Sequence, residues 1–569
     1  MSATRERPEH AMIPRLAAVA MSPLALLALA FVCVCVLLAL PLVLPIGPMY
    51  WDVFIYYDAA NRIFSGQVPV LDFFTPVGPL GYYLFAGWLA VFPNAQPTLL
   101  AHWSLLAVTA PLMALVVWEV DRRSRATALA LLVPFLIFAL LPFNTRDFYP
   151  FPGSDGFGIY NRQACQVLYV LVAALAFVRE RRLKAAIAVA AMTALFFLKI
   201  TGFVAGGVIA AYALLSGRVT LSSVLAGALA FALILAGMDL ADGMVSQYVR
   251  DIAELVSMNG GTLLPRFLQA TSLNFGVVGA AASLAVLLVW VGRRRADGDF
   301  AESGLWLATI VFAGILFETQ NTGSQAFIFL WPALLAVIIA AGRLADRPVL
   351  VLAIFGLVAA TALPPAVRVV ERAARTYVGA VRNVPLAQHN LKSLGAVDMR
   401  REVEARTAHM LRFYPEHRTL YDDLVAIGEL PTPVLYSDFD FQIGYLSAVD
   451  TAIDSIRALE GRTGARFETI LSLNFVNPFP WLMDRTAPLH VAIGADPTRA
   501  VPDPGSQEEA AVAGTDLVLY PTCPPTTANA MLYEMYSPAR AGPRRIRLDA
   551  CYDAFVNPRF AAALDRQPQ

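Results

Sequence analysis

Three carboxylates, Asp52, Asp58 and Asp72, lie in one aromatic, proline-containing stretch that runs from Trp51 to Phe92. Only Asp52 falls within a residue or two of the end of an apolar run, where water is scarce and an ionised carboxylate is costly. Burial at such a position raises a carboxyl pKa toward working pH, which suits a general base that takes a proton from a hydroxyl group. The alternative is that Asp52 caps the helix predicted to begin near Val53.

Lys199 is the cation best placed for chemistry, because it is an isolated lysine at a break in an apolar run. A lysine at membrane depth is costly and usually functional, although its long side chain can also extend to the interface. Arg146 and Arg162 flank a polar loop, and their forked guanidinium groups could bind the same anion as Lys199. An interfacial anchor is the alternative role for both arginines.

Further polar residues could contact a substrate, but each has an ordinary structural alternative. Asp155 lies between glycines, which would let the backbone approach a ligand closely, and a turn residue is the alternative that we favour. Glu318 and Asn321 occur in ETQNTGSQ between two apolar runs, where they would either contact a substrate or cap a helix. Asp58 and Asp72 fit a polar helix face or a turn and could also line the site.

No residue pattern predicts a metal site. The six histidines show no paired ligand spacing, and no Asp-x-Asp motif occurs in the predicted exported loops of the apolar part. An Asp-x-Asp at 438–440 lies in the hydrophilic C-terminal part, where it is equally typical of a strand end. We therefore expect metal-independent chemistry with no cofactor.

The composition is that of a membrane protein. Of the 569 residues, 57% are hydrophobic and only 15% are charged, which is too apolar for a soluble protein of this size. The 43 basic and 43 acidic residues give a net charge of zero, so no overall field would attract nucleic acid. We expect a polytopic protein of the lipid bilayer that does not bind nucleic acid.

Apolar runs and loop charges together predict the topology. Arginines before the first apolar run place the N-terminus in the cytoplasm. The run at 79–92 is short for a crossing, and we expect it to lie flat, because a crossing there would export every later arginine cluster. About eleven crossings then remain, and the C-terminus is exported. They lie roughly at 22–46, 98–118, 126–142, 164–178, 185–199, 201–216, 221–237, 273–291, 304–317, 325–341 and 349–364.

The sequence changes in character after about residue 365. Residues 1–365 are predicted to form an all-α transmembrane domain, and residues 366–430, which are polar with helical spacing, a stalk or linker. From 431 to 569, strand-like and helix-like runs alternate, which predicts an exported soluble α/β domain. Cys523 and Cys551 lie in this last part and could form a disulfide outside the cytosol.

The stretch that opens with Trp51-Asp52 resembles the first exported loop of GT-C glycosyltransferases. Trp51-Asp52 is followed by YYDAANRIFSGQVPVLDFF and then by PVGPLGYYLF. This order is similar to that family's acid after the first helix, amphipathic helix with a glycine turn, and Gly-Pro-Leu entry into a second flat helix. The superfamily includes the protein O-mannosyltransferases, the aminoarabinose transferases and the rhizobial lipopolysaccharide glycosyltransferases. The likeness covers roughly residues 20–365, and the sequence departs from it at Val53, where the family often has Glu.

The resemblance implies a GT-C-like membrane domain with interfacial helices in its first exported loop, and a polyprenyl-phosphate-linked sugar as donor. Asp52 takes the position of the family's carboxylate, and Lys199, Arg162 and Arg146 would bind the donor phosphate. We expect a hexosyl- or pentosyltransferase of the bacterial inner (plasma) membrane that acts by inverting displacement at the extracytoplasmic face. Its acceptor would be a glycan, a lipid or a protein. The alternative is a transporter or flippase of a lipid-linked saccharide, which should show inverted repeats and ionisable groups near the bilayer midplane.

Overall fold

The structure is a computed structural model that describes residues 22–146, 153–319, 323–429, 439–537 and 544–565. The N-terminal arginines used in the topology prediction and the candidate residue Asn321 lie outside these ranges. Helices dominate the described chain, and small sheets lie mainly in its C-terminal part. The expected fold class, a helical part followed by a C-terminal part with both helices and strands, is confirmed in this coarse form.

Helices make up most of the chain between residues 23 and 379. A helix, or a bent pair of helices, lies at each crossing that the sequence predicts. In chain order they are α1 (Pro23–Ala39), α2 (Trp51–Phe64), α3 (Leu80–Val91), α4 (Pro97–Trp103), α5 (Leu106–Asp121), α6 (Arg125–Leu140), α7 (Ile159–Phe177), α8 (Arg181–Leu198), α9 (Ile200–Leu215), α10 (Leu221–Asp242), α11 (Met244–Asn259), α12 (Leu263–Leu273), α13 (Phe275–Arg295), α14 (Gly298–Glu318), α15 (Trp331–Ala341) and α16 (Pro348–Gly379).

The number of crossings is not confirmed. Among the described residues, 4 helices, α10, α13, α14 and α16, are long and apolar enough to cross a membrane. The pair α4 and α5, bent by 42°, would make a fifth span if it crosses as one unit. The other apolar helices are shorter, and α7 carries buried polar side chains that lower its hydropathy. Helix α3 has 12 residues, so it is about 18 Å long against a hydrocarbon core of about 30 Å, which fits the flat placement predicted for it.

Helix α2, which carries Asp52, is enclosed on nearly all sides. Every residue from Trp51 to Arg62 is buried. On one side its Tyr56 ring lies 5.3 Å from the ring of Phe85 on α3. On the other side the Trp51 ring lies 4.9 Å from that of Tyr445, far along the chain. Aromatic pairs of this kind add to area burial, so α2 is fixed between the apolar helices and the C-terminal part.

The C-terminal part contains seven helices among its described residues and most of two small sheets. The helices are α17 (Arg401–Glu416), α18 (Arg418–Ala426), α19 (Phe439–Thr463), α20 (Phe479–Met483), α21 (Ser506–Gly514), α22 (Thr527–Met535) and α23 (Ala561–Leu564). The strands are β1 (Leu44–Pro45), β2 (Asn383–Pro385), β3 (Val397–Arg400), β4 (Ile470–Ser472), β5 (Leu517–Pro521), β6 (Arg544–Arg547) and β7 (Tyr552–Val556). In the first sheet, β1 from the apolar part pairs in parallel with β3, and β2 pairs antiparallel with β3. The second sheet has the order β4-β5-β7-β6, with only the β4–β5 pair parallel.

Two sequence predictions concern this part of the chain. Cys523 and Cys551 form a disulfide, which joins the loop after β5 to the residue before β7. Helix α16 continues past residue 365, where the sequence placed the end of the membrane domain, and ends at Gly379. The division into three domains stays a prediction.

A glycine next to the break between α8 and α9 gives the first testable prediction. The N–H of Gly78 donates to the carbonyl of Leu198 at 3.2 Å, and a Cβ at Gly78 would meet the carbonyl of Phe197. Gly78→Ala must therefore shift the break that carries Lys199, at an expected cost of about 1–3 kcal/mol, which is typical of overpacking. Thermal unfolding of the purified protein in detergent measures this loss.

Gly87→Ala is the matched control. Gly87 lies on α3, and a Cβ there would meet no atom within 4 Å. Because alanine favours a helix over glycine by about 1 kcal/mol, this variant should unfold at the wild-type temperature or slightly above it. Equal effects of the two substitutions would contradict the packing described here.

Candidate active site

One cavity of about 410 Å³ lies between the apolar helices and the C-terminal part. Asp52 from α2 and Lys199 from the break between α8 and α9 both line it. Its remaining walls come from residues 75–77, α11, the start of α12 and loops of the C-terminal part. The other ionisable or phenolic side chains that line the cavity are Tyr56, Tyr82, Tyr160, Tyr248, Asp251, Arg266, Asp496 and Arg499.

Asp52 lies in the first turn of α2, but its carboxylate accepts a hydrogen bond from the start of another helix, α7. The residue at the N-cap of α2 is Tyr50, so Asp52 does not cap its own helix as the structural alternative supposed. Its Oδ2 accepts a hydrogen bond from the N–H of Gly158 at 2.8 Å, at the start of α7. Burial raises the pKa of Asp52 to about 6, and the Gly158 hydrogen bond and the charge of Arg162 limit that rise.

The backbone at Gly158 makes this arrangement specific. Gly158 has φ of 70°, and a Cβ there would meet the carbonyl oxygen of Gly323. Only glycine combines this left-handed conformation with so close an approach. The N-terminus of α7 therefore approaches Asp52 with backbone N–H groups that have no acceptor within the helix, and this end of a helix favours an anion.

Lys199 is held inside the cavity wall by polar and aromatic groups. It is 6% exposed and lies in extended conformation between the end of α8 and the start of α9. Its ammonium group donates to the amide oxygen of Asn161 and lies 5.5 Å from the ring centre of Tyr160 and 4.8 Å from that of Phe317. These contacts hold the charge at the cavity wall, whereas the alternative of a side chain extended to the surface would expose it.

Arg162 lies behind Asp52 and does not line the cavity. Its side chain is buried, and Nη2 donates to the carbonyl of Asp155 at 2.9 Å and contacts the ring of His102. Its Nε and Nη1 have no hydrogen-bond partner among the described residues. The positive charge interacts with the carboxylate of Asp52, so Arg162 supports the ionised form of that acid.

Glu318 lies behind Lys199 in a similar way. It is the last residue of α14, is buried, and accepts a hydrogen bond from the hydroxyl of Ser324 at 2.5 Å. Its charge interacts with those of Lys199 and Arg146. Neither Glu318 nor Arg146 lines the cavity. Both therefore belong to the charged groups around Lys199 and not to the cavity wall.

Asp155 is part of a buried ion pair. Both terminal nitrogens of Arg372 on α16 contact its carboxylate, at 2.8 and 3.0 Å. The carboxylate also accepts a hydrogen bond from the N–H of Asn144 at 2.7 Å. The side chains of Asp155 and Arg372 are 1% and 2% exposed. Burial raises the pKa of Asp155, and the charge of Arg372 opposes that rise. The structure therefore places Asp155 outside the cavity, where it joins the loop before α7 to α16.

Asp58 and Asp72 are also engaged elsewhere. Asp58 pairs with Arg62 one turn later on α2, with Oδ1 2.9 Å from Nε, and both side chains are buried. Asp72 accepts from the N–H of Val68 at 2.7 Å and lines a separate cleft against the C-terminal part. The sequence thus named two residues that the structure brings to the cavity, Asp52 and Lys199.

The sequence did not reveal the residues that distant segments contribute. Asp496 and Arg499 come from a loop of the C-terminal part, where Arg499 Nε donates to Asp496 at 2.7 Å. The side-chain amide of Asn259, at the end of α11, donates to the carbonyl of Arg499 at 3.0 Å. Asp251 lies on α11, in a segment whose apolar spacing predicts a surface helix without indicating that it faces a cavity. No local signal pairs these loops with Asp52.

A group of possible metal ligands lies outside the cavity. The ligand atoms of His389, Asp450 and Asp454 lie within 4.8 Å of one another. Asn390 already donates to both carboxylates, through its N–H to Asp450 at 2.7 Å and through its amide to Asp454 at 3.0 Å. The prediction of metal-independent chemistry at the cavity stays a prediction.

Comparisons with known proteins found distant structural similarities. No protein-family model and no curated protein matches the chain. ArnT from Cupriavidus metallidurans, in the apo state, is 12% identical with a TM-score of 0.42, over 96% of this chain and 99% of that chain. The Archaeoglobus fulgidus oligosaccharyltransferase, tethered with an acceptor peptide containing the NVT sequon, is 13% identical with a TM-score of 0.33, over 92% of this chain and 72% of that one.

A third solved structure is similar at the same level. Archaeal oligosaccharyltransferase AglB from Archaeoglobus fulgidus, in complex with an inhibitory peptide and a dolichol-phosphate, is 11% identical with a TM-score of 0.33, over 92% of this chain and 72% of that one. Because the likeness is distant, the function proposed below rests on the cavity itself.

The buried pair of Asp155 and Arg372 gives the second testable prediction. Arg372→Ala leaves the Asp155 carboxylate buried without its cation, so we expect a loss of about 3–5 kcal/mol. Arg375→Ala, one turn later on α16, removes an arginine that is 42% exposed and pairs with Glu371 at 3.2 Å, and should cost about 1 kcal/mol or less. Thermal unfolding of the two variants compares them, and similar losses would show that the buried pair does not hold the loop before α7.

Proposed function

We propose that this protein is a membrane glycosyltransferase that transfers a sugar from a polyprenyl-phosphate donor to an acceptor at the extracytoplasmic face. The observation that carries the proposal is that Asp52 and Lys199 line one cavity, each held by neutral or backbone groups and each turned toward the same space. A carboxylate and an ammonium group so placed supply the base and the phosphate contact that such a transfer needs.

Lys199 is the proposed contact for the donor phosphate. Its ammonium group is buried beside the polar amide of Asn161, where its attraction for a phosphate is screened less than at a protein surface. Arg499 also lines the cavity, where its guanidinium group pairs with Asp496 at 2.7 Å. The wall formed by Ile252, Leu255 and Val256 is apolar and suits the first units of a polyprenyl chain.

Asp52 is the proposed general base. With a pKa of about 6 it is mostly ionised at neutral pH, and it still lies close enough to working pH to exchange a proton efficiently. It takes the proton from the acceptor hydroxyl as that oxygen bonds to the anomeric carbon, while the bond from carbon to the phosphate oxygen breaks. The phosphate leaves against Lys199. Attack and departure on opposite sides of the ring invert the anomeric centre.

The remaining functional assignments depend on this reaction. Arg162 and Glu318, buried behind the two reacting groups, act as positioning residues for Asp52 and Lys199. The acceptor is a glycan, a lipid or a protein, and the transferred group a hexose or a pentose. The protein resides in the bacterial inner membrane, with the N-terminus in the cytoplasm and the cavity and C-terminal part outside it.

The test is transfer from synthetic polyprenyl-phosphate sugars by purified protein, followed across pH. For the wild type, kcat/KM should rise with pH and level off above a midpoint near 6, because Asp52 acts in its ionised form. Asp52→Asn should lower kcat/KM by about 10²- to 10⁴-fold, the usual contribution of a general base, and should reduce that inflexion. The variant should remain folded, since burial of Asp52 favours its neutral form.

Asp242→Asn is the matched control. Asp242, at the end of α10, is exposed and accepts a hydrogen bond from the N–H of Met244 at 3.0 Å, which an amide oxygen can also accept. This variant should retain wild-type turnover and the same pH profile. Full activity of Asp52→Asn across the pH range would remove the proposed base.

A further inference from the structure

Helix α11 forms one wall of the cavity and is anchored beside Lys199. The ring of Tyr248 lies 5.5 Å from that of Phe196 and 6.4 Å from that of Phe197, the residues shortly before Lys199 in the chain. These three side chains are buried together. The position of α11 is therefore fixed relative to the proposed phosphate contact.

One turn beyond Tyr248, Asp251 presents an unpaired carboxylate oxygen to the cavity. The residue is 4% exposed and lines the cavity wall. Its Oδ1 accepts from the side-chain amide of Gln247 at 2.8 Å, but Oδ2 is buried and has no hydrogen-bond partner among the described residues. Leaving a buried carboxylate oxygen unpaired is costly, and an unpaired group at a cavity wall is one that a ligand can satisfy.

We infer that Asp251 forms a binding subsite for a hydrogen-bond donor group on the transferred sugar, either a hydroxyl or an ammonium group. The inference rests on the proposed function, in which Lys199 binds the phosphate. The sugar is bonded directly to that phosphate, and Asp251 lies one turn from Tyr248, whose ring contacts the residues shortly before Lys199. A polyprenyl chain has no hydrogen-bond donor and cannot satisfy Oδ2.

The charge of Asp251 suits the binding of a polar ligand group. Two charged side chains that act on Asp251, Arg250 and Glu254, lie on the same helix and have opposite signs. Burial raises the pKa of Asp251 to about 6, so the group is mostly ionised at neutral pH. An ionised carboxylate accepts from hydroxyl groups strongly and also attracts an ammonium group.

The experiment compares binding of two probes to purified protein: polyprenyl phosphate without a sugar, and a panel of polyprenyl-phosphate sugars containing a neutral hexose, a neutral pentose and an amino sugar. For the sugar that the wild type binds best, Asp251→Ala should weaken binding about tenfold or more, as loss of a hydrogen bond to a charged group predicts. Binding of the bare polyprenyl phosphate should not change, which also shows that the variant is folded. Glu254→Gln, an exposed position on the same helix, should bind both probes like the wild type.

Asp251→Asn separates the two kinds of donor group. If the sugar offers a hydroxyl group, the amide oxygen still accepts its hydrogen bond and affinity falls only a few fold. If it offers an ammonium group, Asp251→Asn loses as much affinity as Asp251→Ala. A wild type that binds sugar-bearing lipids, with Asp251→Ala weakening both probes equally or neither, overturns this subsite and leaves the proposed function standing. A wild type that binds no lipid-linked sugar overturns both.

Discussion

The structure depends on holding a carboxylate and an ammonium group in one buried cavity while leaving both able to meet a substrate. Asp52 receives the N–H of Gly158, and Lys199 donates to the amide of Asn161. Both partners are uncharged groups at the start of α7, so neither charge is neutralised by an ion pair with the other. The cost of burying each charge is reduced by a dipole and by a buried charge of opposite sign, Arg162 for Asp52 and Glu318 for Lys199.

The first turn of α7 is therefore the element that organises the site. Its sequence GIYNRQ places Gly158 against Asp52, Tyr160 and Asn161 against Lys199, and Arg162 behind Asp52. The helix that follows is buried along almost its whole length, which explains why it cannot shift easily. The loop before α7 is also attached to α16 through the ion pair of Asp155 and Arg372. The start of α7 is therefore fixed both by its own helix and by the last helix of the apolar part.

The isolated charged residues could be predicted from the sequence, but the residues that contact them from distant parts of the chain could not. Asp52 and Lys199 can be recognised in the sequence because burying a single ionisable residue in an apolar environment costs free energy. A charged residue beside or within an apolar run is therefore a candidate for function. The ion pair of Asp58 with Arg62 follows a four-residue spacing that the sequence already contains, so it could have been predicted from helix periodicity. Asp155 pairs with Arg372 across more than two hundred residues, a contact that no local pattern indicates.

The cavity residues from the C-terminal part could not be predicted for the same reason. Arg499 and Asp496 reach the site because loops of the C-terminal part pack against α2 and α11, and such long-range packing depends on shape rather than on spacing. The number of crossings, about eleven, stays a prediction, because several of the helices are short or carry buried polar residues and cannot be identified as spans by length and hydropathy.

The most direct test of the account is an experimental structure of the protein in lipid nanodiscs with a non-transferable polyprenyl-phosphonate sugar. We expect a phosphonate oxygen within about 3 Å of Lys199 Nζ, the sugar ring between Lys199 and Asp52, and the lipid chain along α11. A ligand bound in the separate cleft beside Asp72, or a phosphonate group out of reach of Lys199, would contradict it.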